Sequence, residues 1–195
     1  MAPRTVATRT ARLTDAGAIA TIYNQGIGER VATFETRERD AEERRAWLRE
    51  HDERHPVIVA EAEDGEVVGW ASISAYSQRE CYSGVGEATV YVRRDRRGEG
   101  VGRALMASLV QRARSAMYWK LIARIFVANV ASRGFFEQFG FREVGVLEKH
   151  GKLDGRWIDV VEVERLISEN ICDRPSKRVR RQRQSSGGRT RGYRS

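Results

Sequence analysis

The chain has 195 residues, of which 41% are hydrophobic and 32% charged, a length and composition that suit one folded domain with a buried core. No apolar run approaches the length of a membrane span, and the first residues lack the apolar segment of a signal peptide, so we expect a soluble, cytoplasmic protein. The two cysteines, Cys81 and Cys172, have no CxxC spacing and are expected to be unpaired thiols.

The net charge of +8 would favour nucleic-acid binding if it were spread over the chain. It is concentrated in residues 173–195, which hold nine basic side chains and one acidic one, so that 26 basic and 26 acidic residues remain elsewhere. We therefore expect a neutral domain over residues 1–171 and a basic, disordered tail over residues 172–195. Salt-dependent binding of nucleic acid through this tail stays open as an alternative function.

Two helices are predicted between the first two strands, an unusual arrangement that suggests a wall beside a pocket. Periodicity and turn residues predict a strand over residues 4–10, a helix from Thr14 to Gly26 or Gly28, a β-branched connection over 31–36, a helix opened by a capping box at 40–43, and a hairpin of strands 56–61 and 67–75.

The second half alternates strands with helices. We expect a loop over residues 76–86, a strand over 87–92, a helix after Gly102, a strand over 121–127, a short helix capped by Ser132 and ended by Gly140, a strand starting at 142–147, a loop over 149–156 and a strand over 157–166. This order predicts an α/β fold with a mixed, mostly antiparallel sheet and helices on both faces.

Residues 87–103 join a β-branched strand, a charged turn and alternating glycines to the start of a helix. Glycines let the backbone approach an anion, and free N–H groups at a helix N-terminus favour it, so the segment predicts a phosphate-binding loop. A P-loop is excluded because Gly102 is followed by Arg103-Ala104 instead of Lys-[Ser/Thr]. The glycine spacing and the missing acidic residue further on disfavour a dinucleotide fingerprint, and a tight turn without a ligand is the structural alternative.

The pattern Arg97-x-x-Gly100-x-Gly102 resembles the acetyl-CoA loop of the GCN5-related N-acetyltransferases (GNAT), [Gln/Arg]-x-x-Gly-x-[Gly/Ala]. Asn129-x-x-Ser132, followed by two phenylalanines, looks like the second cofactor segment of that family. The resemblance spans about residues 4–166 and implies the GNAT fold with acetyl-CoA as co-substrate. His51 and His55 have no third ligand nearby in sequence, and no metal is expected.

Within this superfamily the chain resembles the phosphinothricin N-acetyltransferase branch, particularly its arsinothricin-acetylating members. The similar segments are residues 22–27, 32–36, 79–82, 87–92 and 145–157. The resemblance implies acetylation of the α-amine of a glutamate analogue such as phosphinothricin or arsinothricin, an antibiotic or herbicide resistance activity. Methionine sulfone or sulfoximine, and peptide or protein amines, are the alternative acceptors.

The resemblance also implies roles for individual residues. Glu87 aligns with the proposed general base, although a surface glutamate at a strand start is the plain alternative. Phe136 stands where many relatives have tyrosine or histidine, which leaves the proton donor for the thiolate open. The implied cofactor contacts are Val90, Tyr91, Val92, Arg97, Gly98, Glu99, Gly100, Val101, Gly102, Arg103, Asn129 and Ser132, with Arg96 adding positive charge.

The implied substrate contacts are Phe34, Arg79 and Tyr82, together with Glu87. A cation and a phenol suit the anionic or sulfone-like oxygens of such acceptors. The branch further implies a homodimer, in which the predicted loop carrying Lys149, His150 and Lys152 would border the neighbour's site.

Overall fold

The computed structural model describes residues 6–171. Its strands are β1 (Ala7–Thr10), β2 (Val57–Glu61), β3 (Val67–Ala75), β4 (Val85–Val92), β5 (Lys120–Phe126), β6 (Arg142–Leu153) and β7 (Arg156–Leu166). The helices are α1 (Ala16–Glu29), α2 (Ala41–Arg49), α3 (Val101–Ser115) and α4 (Val130–Gln138). The predicted tail and Cys172 lie outside the described residues, as does the predicted start of the first strand.

The seven strands form one sheet in the order β1-β2-β3-β4-β5-β7-β6. The pair β4–β5 is parallel, since α3 crosses over between them, and the other five pairs are antiparallel. This confirms the predicted mixed, mostly antiparallel sheet.

Helices cover both faces of the sheet, as predicted. One face packs against α3 and α4 through a cluster that includes Ile73, Leu105, Leu109, Leu121 and Phe136. The other packs against α1 and α2 through a cluster that includes Ile19, Ile22, Leu48, Val59 and Trp70. Within the sheet, strands β4 and β5 separate at one end, and the candidate site lies in the gap between them.

The gap arises because β4 and β5 pair over three residues only. Their register runs from Val85 opposite Lys120 to Glu87 opposite Ile122 and ends there. On its other side β4 stays paired with β3 as far as Val92. The two central strands therefore diverge just after Glu87, and residues 88–92 of β4 have no partner on β5.

Two predicted helix boundaries are wrong. Helix α1 continues past Gly26 and Gly28 and ends at Glu29, with Arg30 in the left-handed region (φ 58°) as its C-cap. Gly26 instead allows the ring of Tyr91 to pack directly against α1, because a Cβ at this position would lie 2.7 Å from that ring. Helix α4 is capped by Asn129, whose side chain accepts the backbone N–H of Ser132, the residue predicted as the cap.

The predicted loop over residues 149–156 is also wrong for its first part. Strand β6 extends to Leu153, so that Lys149, His150 and Lys152 lie in an edge strand. The register of β6 against β7 shifts between Leu147 and Gly151, where Lys149 has a φ of 50°. This bulge interrupts the alternation from which a strand is predicted.

Among residues 6–171, no helix combines the length and apolar character needed to cross a bilayer.

Candidate active site

Two cavities meet in the gap between β4 and β5. The sheet cavity, about 310 Å³, lies over the polar face of the central strands and is lined by Ser72, Ser74, Glu87, Thr89 and Arg124 among others. The glycine-loop cavity, about 460 Å³, lies at the start of α3. Six residues line both cavities: Ala32, Val90, Tyr91, Asn129, Ser132 and Phe136.

The glycine-loop cavity is built for an anion. Gly98 and Gly100 have φ of 80° and 87°, a region that residues with a Cβ rarely adopt. Gly100 is the N-cap of α3, and no side chain caps the helix, so its first N–H groups are available to a ligand. The helix dipole adds to the attraction for negative charge.

Most of the predicted cofactor residues line this cavity. They are Val90, Tyr91, Val92, Arg97, Gly98, Gly100, Gly102, Arg103, Asn129 and Ser132. Two predicted residues are not brought to it by their side chains: Glu99 pairs with the buried Arg96 at 2.8 Å, and Val101 is buried in the core. Contacts to the cofactor from these two stay predictions.

Glu29, which no sequence motif marks as a site residue, lies beside the same loop. Its carboxylate accepts hydrogen bonds from Arg94 at 2.7 Å and from Arg97 at 2.9 Å. Burial opposes the charge of Glu29, but these hydrogen bonds outweigh it and hold its pKa below the ordinary value. Because Arg97 is thus partly neutralised, the backbone N–H groups of the loop are the stronger anion ligands.

In the sheet cavity, Glu87 is one member of a charged row across three neighbouring strands. Arg124 on β5 lies 2.9 Å from Glu87 through Nη1 and 3.3 Å from Glu162 of β7 through Nε. Side chains of Glu87 and Arg124 are each about one third exposed, so both are accessible from the cavity. Arg124 was not singled out in the sequence.

An aromatic wall closes the other side of the sheet cavity. The rings of Trp70 and Tyr91 stack at 5.0 Å, and Tyr23 meets Tyr91 edge-on at 5.1 Å. The guanidinium of Arg44, on α2, lies 4.5 Å from the centroid of the Tyr23 ring. Within residues 6–171, the buried Nε of Arg44 and the buried Nε1 of Trp70 have no hydrogen-bond partner.

Arg44 is an unusual cation for a helix surface. Among the described residues no carboxylate lies within ion-pair distance of it, in contrast to Arg37, Arg39 and Arg45 nearby. Burial lowers the pKa of Arg44 from its ordinary value. A desolvated, unpaired cation that lines a cavity favours an anionic ligand.

Phe136 lines both cavities at their junction. It is buried and packs edge-on against Phe141 at 4.9 Å, so its ring is also part of the core. Phenylalanine has no proton to donate, and the structure adds no reason to assign it a chemical role beyond shaping the junction.

The three predicted substrate residues lie outside the lining of the sheet cavity. Phe34 packs against Phe126, which does line it, with ring centroids 4.7 Å apart. Arg79 and Tyr82 are exposed at a single 3₁₀ turn before β4. Tyr82 meets the ring of Tyr76 edge-on, so its link to the site is indirect. Direct substrate contacts from all three stay predictions.

A larger cavity, about 860 Å³, lies at the opposite end of α3 and includes His51 and Arg112 in its lining. The ring of His51 is engaged with the carbonyl of Trp47 at 2.8 Å, and that of His55 lies 3.0 Å from Asp52. The glycine loop does not line this cavity, so size alone does not make it the site.

Comparison with known proteins agrees with this geometry. Residues 8–161 match the family model described as an acetyltransferase (GNAT) domain. The L-methionine sulfoximine/L-methionine sulfone acetyltransferase of Pseudomonas aeruginosa is 35% identical over 153 residues, 78% of this chain and 89% of the relative. The phosphinothricin N-acetyltransferase of Streptomyces coelicolor is 36% identical over 147 residues, 74% of this chain and 86% of the relative.

Among solved structures, the GNAT superfamily phosphinothricin acetyltransferase of Sinorhizobium meliloti in complex with AcCoA superposes with a TM-score of 0.82. It is 29% identical in sequence, and the match covers 91% of this chain and 96% of that one.

The chain therefore belongs to the GNAT family of acetyltransferases, and it is an N-acetyltransferase that uses acetyl-CoA. Within the family it belongs to the phosphinothricin N-acetyltransferase-like branch. Both parts of the predicted resemblance are thereby confirmed.

Proposed function

We propose that this enzyme acetylates the α-amine of a free amino acid with a glutamate-like side chain, with phosphinothricin and arsinothricin as the leading candidates. The observation that carries the proposal is the position of Glu87, which faces the sheet cavity where β4 and β5 separate, beside the glycine-loop cavity. A carboxylate next to an anion-binding loop suits acyl transfer to an amine. The named relatives, which act on phosphinothricin or methionine sulfone, support an amino-acid acceptor.

In this proposal the glycine-loop cavity holds acetyl-CoA, which supplies the acetyl group as a thioester. The N–H groups of residues 98–103 bind the diphosphate, and the unpaired edge of β4 at Val90 and Val92 offers backbone groups to the pantetheine arm. The uncapped start of α3 and the missing β5 partner of β4 support these two roles.

Glu87 acts as the general base in this proposal. The α-amine of a free amino acid has a pKa above the roughly 8 of a peptide N-terminus, because the adjacent carboxylate stabilises the ammonium. At neutral pH the acceptor therefore enters almost entirely as an ammonium and must lose a proton before it can attack. Glu87 accepts that proton directly or through a water. The nearby backbone of β4 polarises the acetyl carbonyl. The leaving thiolate is protonated by solvent or by the proton that the amine loses after its attack, since Phe136 has no proton to donate.

Arg44 and Trp70 support an acceptor with an anionic side chain. Both side chains line the sheet cavity, and the buried Nε of Arg44 and Nε1 of Trp70 have no hydrogen-bond partner among the described residues. A phosphinate or arsinate group in this cavity would compensate the charge of Arg44, whereas a neutral sulfone would not. On this ground the glutamate analogues are placed before methionine sulfone and methionine sulfoximine.

We also propose that the enzyme is a homodimer that uses strand β6. This strand is the edge of the sheet and exposes apolar side chains, with Val144 and Val146 about half exposed and the neighbouring Trp157 56% exposed. A second copy would cover them. Light scattering after gel filtration tests this, and a monomer at micromolar concentration would contradict it.

One panel of kcat/KM values tests the acceptor, with acetyl-CoA held saturating. It compares phosphinothricin, arsinothricin, methionine sulfoximine, methionine sulfone and a peptide with a free N-terminus. We expect the two glutamate analogues to be the best acceptors and the peptide the worst. Acetylation of the peptide alone would overturn the proposal.

A further inference from the structure

We infer that Arg124 binds the α-carboxylate of the acceptor, so that Glu87 and Arg124 together recognise the zwitterion of a free amino acid. This inference rests on the proposed function and adds the residue that separates free amino acids from peptide amines. The observation behind it is the contact between the two side chains, which brings opposite charges within 2.9 Å of each other on the floor of the sheet cavity.

The strand geometry places Arg124 on the cavity side of Glu87. Glu87 is the last residue of β4 to pair with β5, where it lies opposite Ile122. Arg124 is two residues further along β5, so its side chain leaves the sheet on the same face, and it stands where the strands diverge. Its neighbour in the β5–β7 register is Glu162, on the same face again.

The hydrogen-bonding capacity of Arg124 leaves room for a ligand. Nε faces Glu162 at 3.3 Å and Nη1 faces Glu87 at 2.9 Å, while a guanidinium carries five N–H donors in a fixed plane. A carboxylate can replace Glu87 at the Nη groups while Glu162 keeps Arg124 in place. The ring of Tyr76, 5.9 Å from the guanidinium carbon, further limits its movement.

The charges of an α-amino acid are complementary to this pair. Its ammonium and carboxylate are attached to one carbon, so they are as close together as the groups of an ion pair. When the acceptor binds, the ammonium meets Glu87 and the carboxylate meets Arg124, and the ion pair of the free enzyme is exchanged for two equivalent ones. The amine is thereby held next to the carboxylate that accepts its proton.

A peptide N-terminus has an amide where the free amino acid has its carboxylate. It would break the pair between Glu87 and Arg124 without supplying an anion to replace Glu87 at the guanidinium. Such loss of a partner for a charged group is costly, and we therefore expect Arg124 to discriminate against peptide amines.

The test compares L-phosphinothricin with its α-carboxamide as acceptors for the wild-type enzyme and for Arg124→Met. The wild type should prefer the carboxylate form by on the order of 10- to 100-fold in kcat/KM, the size expected for hydrogen bonds between charged groups. In Arg124→Met this preference should fall by most of that factor. The two amines differ in basicity, and this difference cancels when the ratio for the variant is divided by the ratio for the wild type.

Three further measurements keep the result interpretable. Arg124→Lys retains the charge but not the planar fork, so it should show an intermediate preference and also serves if the Met variant does not fold. Arg114→Met removes another surface arginine with a glutamate partner, Glu169 at 3.3 Å, and should keep the full preference. Melting temperatures report folding in each case.

Two negative results are distinguishable. If the wild type acetylates neither acceptor, the proposed function fails, and the role of Arg124 fails with it. If the wild type prefers the carboxylate and Arg124→Met prefers it equally, the proposed function stands and the assignment of Arg124 is overturned.

Discussion

The side-chain amide of Asn129 donates a hydrogen bond to the backbone carbonyl of Val31 at 3.1 Å, while its oxygen accepts the N–H of Ser132 at 3.1 Å. One side chain thus caps α4 and ties it to the connection between α1 and α2. Both partners of the tie line the glycine-loop cavity. The sequence predicts Asn129 as a cofactor contact. Its two hydrogen bonds also hold the start of α4 at a fixed distance from Val31 across the cavity.

Two variants separate the tasks of Asn129. Asn129→Ala removes the cap and the tie, and the lost cap should lower the free energy of unfolding by about 1 kcal/mol. Asn129→Asp keeps the acceptor for Ser132 but loses the donor to Val31. Hydrogen exchange should be faster at the start of α4 in the Ala variant only, and the KM for acetyl-CoA should rise in both. Unchanged KM in both variants would exclude the tie from cofactor binding.

The chain pattern predicted the parts of the site that are local in sequence. Residues 97–103 form a contiguous motif, and Asn129 belongs to a short motif at a helix start, so both could be compared directly with the motifs of a known family. Arg124 is 37 positions from Glu87, and only the three-residue pairing of β4 with β5 brings them together. A signal existed, because Arg124 is the lone charge inside the otherwise apolar run from Leu121 to Phe126.

Arg44 and Glu29 could not have been found in the same way. Arg44 lies in a helix of nine residues that also contains Arg45, Arg49 and two glutamates, so nothing in the sequence separates it from a solvated arginine. Only the tertiary position of α2 against the aromatic wall buries it. Glu29 at the end of α1 is equally ordinary in sequence, and its partners Arg94 and Arg97 are more than 60 residues away.

Replacing Glu87 by Gln should lower kcat/KM by about 100-fold or more near pH 7, the range typical of a positioned general base. The amine deprotonates without help once the pH exceeds its own pKa, which for a free amino acid lies above the roughly 8 of a peptide N-terminus, so the deficit should shrink only as the pH rises well above about 8. Pre-steady-state and steady-state rates over this range check it. Glu80→Gln, at the exposed 3₁₀ turn, is the matched control and should behave as wild type. A Glu87→Gln enzyme of full activity would remove Glu87 from the mechanism.

Replacing Gly100 by Ala tests the glycine loop by conformation alone, because no atom lies within 4 Å of the added Cβ. The φ of 87° costs a residue with a Cβ about 1–2 kcal/mol, and relief of this strain would turn the N–H groups away from the anion. The KM for acetyl-CoA should rise about tenfold, with little change in the KM for the acceptor. Gly134→Ala in α4, where the Cβ is equally unobstructed, should instead stabilise the fold by about 0.5–1 kcal/mol. Equal effects of the two substitutions would contradict this account.

Asp15 gives the fold a pH dependence away from the site. Its buried carboxylate accepts two hydrogen bonds from Arg9, at 2.7 and 3.0 Å, and one from the N–H of Arg12 at 2.7 Å. Burial opposes its charge, but these bonds outweigh it, so that the pKa of Asp15 lies below its ordinary value of 3.8. A lowered pKa means that the stabilisation is present above about pH 4 and is lost as the pH falls through the native value.

Asp15→Asn should therefore lower the free energy of unfolding by about 2 kcal/mol at pH 7. Urea unfolding of wild type and variant at pH 7 and near pH 3 checks the sign, because the difference should shrink at the lower pH. A difference that is the same at both values would show that the charge of Asp15 contributes nothing.

Replacing Arg44 by Met tests whether this residue, on the aromatic side of the sheet cavity, makes the enzyme prefer acceptors with an anionic side chain. The methionine keeps much of the stem that packs on Tyr23 and removes the unpaired charge, so we expect kcat/KM for phosphinothricin to fall at least about tenfold more than that for the neutral methionine sulfone. Arg45→Met, next in the helix but outside the lining of the sheet cavity and paired with Glu42, should leave both values unchanged. Equal losses with both acceptors would mean that Arg44 stabilises the aromatic wall and does not bind the anionic group of the acceptor. That group would then be bound by another cation, with Arg79 as the next candidate.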